Sequence, residues 1–132
     1  MAAPVVAVIN TSPDTVELLS VALESAGFVT VSSYTHDIRD GRVDLAAFMS
    51  QHQPTVVVYD IAPPYERNWR FFEHLRETVL KGYVFVLTST HAAQVERFVG
   101  RASHVYEVVG KPYDLNAIVD AVRQAARVRP TE

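Results

Sequence analysis

At 132 residues, with 48% hydrophobic and 20% charged side chains, the chain has the makeup of one globular domain and not of a disordered segment. It contains no cysteine, which excludes a disulfide framework, a thiol nucleophile and thiolate metal centres. Twelve basic against fifteen acidic residues give a net charge of −3, which argues against a mainly electrostatic nucleic-acid binder.

No apolar run approaches the roughly 20 residues of a membrane span, and Met1-Ala-Ala-Pro4 lacks the positive start of a secretory signal. The expectation is a single cytoplasmic domain over residues 1–132. In chain order, short β-branched runs at Val5–Ile9, Phe28–Val31, Thr55–Tyr59, Tyr83–Leu87 and Val105–Val109 read as strands apolar on both faces. Between them lie helical patterns. Ser12, Pro13 and Asp14 open the first helix, Val16, Leu19 and Leu23 form its stripe, widened by Leu18 and Ala22, and Gly27 ends it. Tyr34–Arg42 reads as a polar loop, followed by a helix over about Val43–His52. A longer helix is expected over about Arg67–Lys81, closed by Gly82, with Trp69 and Phe72 in the core. A shorter one follows over about Ala92–Gly100. Asp114 is a cap candidate for the last helix, in which Leu115, Ile118, Val119, Val122 and Ala126 recur at helical spacing.

This order is βα repeated five times, an α/β fold. Right-handed crossovers then favour a doubly wound parallel sheet with helices on both faces. Chemistry in such sheets sits beyond the carboxyl ends of the strands. Those ends carry Asn10-Thr11-Ser12, Ser33-Tyr34, Asp60-Ile61, Thr88-Ser89-Thr90 and Gly110-Lys111-Pro112. A carboxylate, a hydroxyl and an ammonium converging there suit phosphoryl transfer: the carboxylate attacks phosphorus, the hydroxyl hydrogen-bonds its oxygens, and the ammonium offsets their charge.

These residues resemble response-regulator receiver domains of the chemotaxis-receiver, flavodoxin-like type. The strand ending in Asp60, with Pro64 four residues later, is similar to the phosphoacceptor strand. Val84–Thr88 is similar to the fourth strand, and Gly110-Lys111-Pro112-Tyr113-Asp114-Leu115 to the junction into the last helix. Pro13-Asp14 and Glu24–Phe28 match the first helix and its exit. The resemblance spans roughly residues 4–128. It implies five strands in the order 2-1-3-4-5 and a bacterial two-component phosphorelay module that is not an enzyme. It further implies Asp60 as phosphoacceptor, Thr88 and Lys111 as phosphoryl partners, and a cis bond before Pro112. Histidine kinases, phosphotransfer proteins or downstream proteins are the implied partners, with no direct nucleic acid or membrane contact. A homodimer through about Ala92–Arg127 is the implied assembly.

Departures from the family pattern bear on mechanism. Where receivers usually place an acidic pair that helps hold Mg²⁺, this chain has Asn10 and Thr11. Asp60 alone faces Lys111, so the Mg²⁺ site centred on Asp60 is expected to be weakened, because Mg²⁺ favours anionic oxygens. The aromatic switch position is Val108; Tyr106, two residues earlier, is the nearest aromatic. Ser89 keeps a small residue after Thr88, and Ala62 offers no polar group to a hydrolytic water. The five histidines show no metal spacing.

Three other readings fit the same residues. In one, Asp60 and Lys111 form a locked ion pair in a phosphorylation-independent docking module. In another, the crevice holds a small ligand, as in flavodoxins, although no glycine-rich phosphate loop is present. In the third, the chain is a receiver cut from a larger protein, with Arg127–Glu132 as the start of a linker.

Overall fold

Strands that are apolar on both faces need a roof on each side. The structure, a computed structural model, describes residues 3–99, 105–110 and 115–127, the segment 105–110 as backbone. Five parallel strands, β1 (Val5–Asn10), β2 (Val29–Tyr34), β3 (Val56–Asp60), β4 (Val84–Ser89) and β5 (Val105–Gly110), form one sheet in the order β2-β1-β3-β4-β5. This is the expected doubly wound architecture. The helices are α1 (Pro13–Ser25), α2 (Thr35–Arg39), α3 (Leu45–His52), α4 (Tyr65–Glu77), α5 (Ala92–Val99) and α6 (Leu115–Ala125).

Period-two alternation divides the core in two. Val6, Val8, Val56, Val58, Val84 and Val86 pack against Val16, Leu19 and Leu23 of α1 and Ile118, Ala121, Val122 and Ala125 of α6. The intervening Ala7, Ile9, Val57, Tyr59, Phe85 and Leu87 face Leu45 and Met49 of α3, Trp69, Phe72 and Leu75 of α4, and Val95 of α5. Phe72 is the hub of the second layer. Its ring lies 4.8 Å from Tyr59, 5.3 Å from Trp69 and 5.0 Å edge-on from Phe85, centroid to centroid. Such pairs add to what burial alone contributes.

Local chemistry sets the helix ends. Ser12 Oγ accepts from the Thr15 amide at 3.3 Å, and Pro13 occupies the first helical position. Gly27 follows the helix at φ +97°, where a side chain would be strained.

Several expectations are corrected. Tyr34–Arg42 is not a loop: Tyr34 closes β2, and Thr35–Arg39 forms the short helix α2. One apolar residue, Ile38, is too little for a period to show. The next helix begins at Leu45, because Asp44 caps it through the Ala47 amide at 3.1 Å. The long helix runs from Tyr65 to Glu77, since Pro64 supplies an extended start; the chain then turns through Thr78–Gly82. Strand β2 starts at Val29, one residue after Phe28. Leu18 leaves the α1 stripe and stands 56% exposed, because the 100° step carries it off the buried face. Gly100, His104 and Asp114 lie outside the described residues.

Phe72→Ala is expected to cost about 3–5 kcal/mol and Leu18→Ala less than about 0.5 kcal/mol, read as the shift in urea midpoint at unchanged slope.

Candidate functional site

The interiors of β1, β3 and β4 leave nowhere for a polar side chain but their ends. Asn10, Ser33, Thr35, Asp60, Thr88 and Ser89 are the buried polar residues among those described, and every one lies at or just past a strand's carboxyl end. Asp60 and Thr88 are register partners on β3 and β4. Thr88 Oγ1 donates to Asp60 Oδ1 at 2.7 Å, in a buried setting. The carboxylate is therefore held by a neutral donor, which is stronger than an ordinary neutral pair.

Asn10 is turned inward. Its Oδ1 accepts the amides of Thr11 at 2.7 Å and Ser12 at 3.0 Å, closing the β1–α1 turn. Its Nδ2 is buried with no hydrogen-bond partner among the described residues. Ser89 follows Thr88 at the end of β4. It is fully buried, donates to the Ile61 carbonyl at 2.9 Å and accepts from the His91 amide at 3.2 Å, so it ties the β4 end to the β3 end.

The Asn10 oxygen is spent on two backbone amides, and Asp60 is the one carboxylate on this wall among the described residues. No cluster of three acidic or histidine ligands occurs among those residues. A hard octahedral cation such as Mg²⁺ is poorly served by that donor set. Lys111 and Pro112 lie outside the described residues. The cis bond that is described joins Pro63 and Pro64. Val108 is paired with Leu87. The ladder slips between Phe85 and Val86, opposite Val105 and Glu107, so Tyr106 falls at an irregularity.

No protein-family model and no curated protein sequence matches the chain. Solved structures do. A response regulator from Thermotoga maritima superposes with TM-score 0.72 at 16% identity, covering 96% of this chain and 99% of that one. A sensor protein from Polaromonas sp. JS666 gives TM-score 0.74 at 20% identity, covering 93% and 95%. A chemotaxis response regulator of Vibrio cholerae gives 0.70 at 16%, covering 93% and 98%. The chain has the receiver-domain fold. Asp60 ends β3, which lies between β1 and β4 in the sheet. No helix among the described residues is long and apolar enough to cross a membrane.

The sequence did not reveal the pocket beside Asp60. A cavity of about 230 Å³ is lined by Thr11, Thr35, Arg39, Tyr59, Asp60, Ala62, Pro63 and Asn68. Thr35 and Arg39 reach it because they are i and i+4 on α2 and share a face. That spacing was the available signal, hidden by reading the segment as a loop. Arg39 Nη2 donates to Asn68 Oδ1 at 2.7 Å, Asn68 Nδ2 donates to the Ala62 carbonyl at 2.7 Å, and the guanidinium lies 5.0 Å above the Phe71 ring. Phe71 and Tyr65 are partly buried against the second core layer, so they form packing and not a free aromatic patch. The Tyr65 hydroxyl also pairs with Thr90 Oγ1.

Burial holds the Tyr59 phenol well above its ordinary pKa of 10.0; Arg39 works against that shift and Asp60 adds to it. A raised folded-state pKa means that this contribution to stability is fully present below pH 10 and is lost as pH rises through the folded value. Tyr59→Phe is therefore expected to flatten the alkaline fall in stability above about pH 10, measured as urea midpoints across that range for both proteins.

Proposed function

We propose that this protein is a receiver-type signalling module of the bacterial two-component kind, working in the cytoplasm through contacts with other proteins. Asp60 is its nominal phosphoacceptor, and its Mg²⁺ binding is weakened. The observation that carries this reading is the 2.7 Å hydrogen bond from Thr88 to Asp60 at the ends of adjacent central strands, on a fold shared over nearly the whole chain with receiver structures. Asp60 is 6% exposed and opens onto the 230 Å³ cavity, so a phosphoryl donor has a way in.

In the step itself, an Asp60 carboxylate oxygen attacks the phosphorus of a phosphohistidine or acyl phosphate. A P–O bond forms, the bond to the leaving group breaks, and its electron pair departs with the imidazole or carboxylate. Thr88 is placed to hydrogen-bond a phosphoryl oxygen if it gives up Asp60 Oδ1. Lys111 is assigned as the ammonium partner from the sequence pattern, and Ser89 as the tie that moves with Thr88. Partners are a histidine kinase or phosphotransfer protein upstream and a protein target downstream. The face running from α5 through β5 to α6 is the proposed self-association surface.

Incubation with acetyl phosphate, followed by intact-mass measurement, tests the reading. One phosphoryl adduct is expected on the wild type and none on Asp60→Asn, with the rate falling less than about tenfold when EDTA replaces Mg²⁺. No adduct in either buffer would remove Asp60 as an acceptor and leave a constitutive docking module.

A further inference from the structure

We infer that the cavity between α2 and the ends of β1 and β3 is a metal-independent binding site for a phosphoryl oxyanion, held by the Arg39 guanidinium and by the Thr35 and Tyr59 hydroxyls. The reasoning starts from the balance of donors and acceptors on its wall. Three acceptors there are served from within the protein: Asp60 Oδ1 by Thr88, Asn68 Oδ1 by Arg39, and the Ala62 carbonyl by Asn68. Donors are left over. Thr35 Oγ1 and the Tyr59 hydroxyl are buried in residues only 5% and 1% exposed, and neither has a hydrogen-bond partner among the described residues. Leaving a buried hydroxyl unpaired costs about 1–3 kcal/mol, so a structure that keeps two against one cavity is short of acceptors that a ligand would bring. A guanidinium has five N–H donors, and one of the Arg39 donors goes to Asn68. The other donors of Arg39 are available in an orientation that Asn68 and the Phe71 ring already fix.

The arrangement favours a tetrahedral oxyanion over a planar carboxylate. Its donors come from separate walls: Thr35 and Arg39 from α2 and Tyr59 from β3, with Thr11 after β1. A planar group reaches one or two of these, whereas a phosphoryl group spreads its oxygens among them. At about 30 Å³ per water, 230 Å³ is room for roughly seven waters, enough for a phosphate with a small substituent. The local charge is also suitable. Arg39 and Asp60 are the charged residues among those lining the cavity, and both act on the Tyr59 phenol. Arg39 thus supplies positive charge on this wall from the protein itself. The oxyanion comes from one of two sources: free phosphate or a phosphomonoester, or the phosphoryl group carried by Asp60. The inference uses the same pocket as the proposed function but does not require Asp60 to react.

The test is a titration with inorganic phosphate in EDTA, followed by backbone amide shifts, on wild type, Arg39→Gln, Thr35→Val, Tyr59→Phe and Asp60→Asn. Saturable shifts at Thr11, Thr35 and Ala62 are expected. Asp60→Asn should bind several-fold tighter, because it removes a repelling charge, and Arg39→Gln about tenfold weaker, because it removes a charge-assisted pair. Thr35→Val and Tyr59→Phe should each lose a smaller factor. Arg39 is exposed, so its variant should keep the wild-type circular dichroism and melting curve. Wild type treated with acetyl phosphate is the second arm. Binding by wild type marks free phosphate as the ligand. Binding by Asp60→Asn alone, with the same amides shifting in phosphorylated wild type, marks the Asp60 phosphoryl group. Absence of shifts in both wild type and Asp60→Asn, or full affinity in Arg39→Gln, would overturn the inference. Phosphate binding without an Asp60 adduct would sink the phosphoacceptor reading and leave this site standing.

Discussion

The dehydration of β1, β3 and β4 on both faces is the constraint from which the rest of the structure follows. Every residue of β3 and β4 is buried, and the layers above and below are continuous hydrocarbon. A polar side chain placed mid-strand would have no water and no donor there, at a cost of several kilocalories per mole. Polar groups are therefore expelled along the strand direction to the ends. Because the strands are parallel, the carboxyl ends collect at one edge of the sheet. The Asp60–Thr88 pair, the inward-turned Asn10 and the Ser89 tie are the products of that one restriction. The same restriction explains why their hydrogen bonds are short and local: each group must be satisfied within a shell closed on two sides.

The pocket inherits a division of labour from this arrangement. On one side, the β3 and β4 ends are locked together by register and by two side-chain hydrogen bonds, from Thr88 to Asp60 and from Ser89 to Ile61. On the other, α2 and α4 approach through side chains alone, with Asn68 bridging Arg39 to the Ala62 carbonyl. The carboxylate thus sits on the rigid wall and the guanidinium on the adjustable one.

The sheet was legible because its signal is redundant. Five β-branched runs, broken only by Thr30, Thr55 and Glu107, leave few alternatives to buried parallel strands, and Ser12-Pro13 and Gly27 mark the first helix by unambiguous chemistry. Asp60 and Thr88 could be named because they are the polar residues that end such runs. What escaped had no period to show. Thr35–Arg39 contains a single apolar residue, so nothing distinguishes its pattern from a loop. Tyr59 read as one more core aromatic, and its hydroxyl gains meaning only when α2 is folded over it. Asn68 sits within a helix whose stripe draws the eye to Trp69 and Phe72. Leu18 was misplaced for the converse reason: an apolar residue beside a stripe is assigned to it by composition, while the helical angle excludes it.

The brevity of α2 has a thermodynamic consequence. Five residues make about one and a half turns, too few for intrahelical bonds to sustain. The segment is kept in place by Ile38 against the second core layer and by the Asp37 carbonyl, which accepts the amides of Arg42 and Val43. It follows directly after β2, the edge strand of the sheet. An element this short, held by tertiary contacts alone, is of the kind that opens locally before the whole domain unfolds. Whatever occupies the pocket through Thr35 and Arg39 stabilises the closed form of α2, and by reciprocity whatever grips the outside of α2 or the free edge of β2 changes the pocket's affinity by the same factor. A five-residue helix thereby becomes the place where a contact on the outside of the protein and a ligand inside it report on each other.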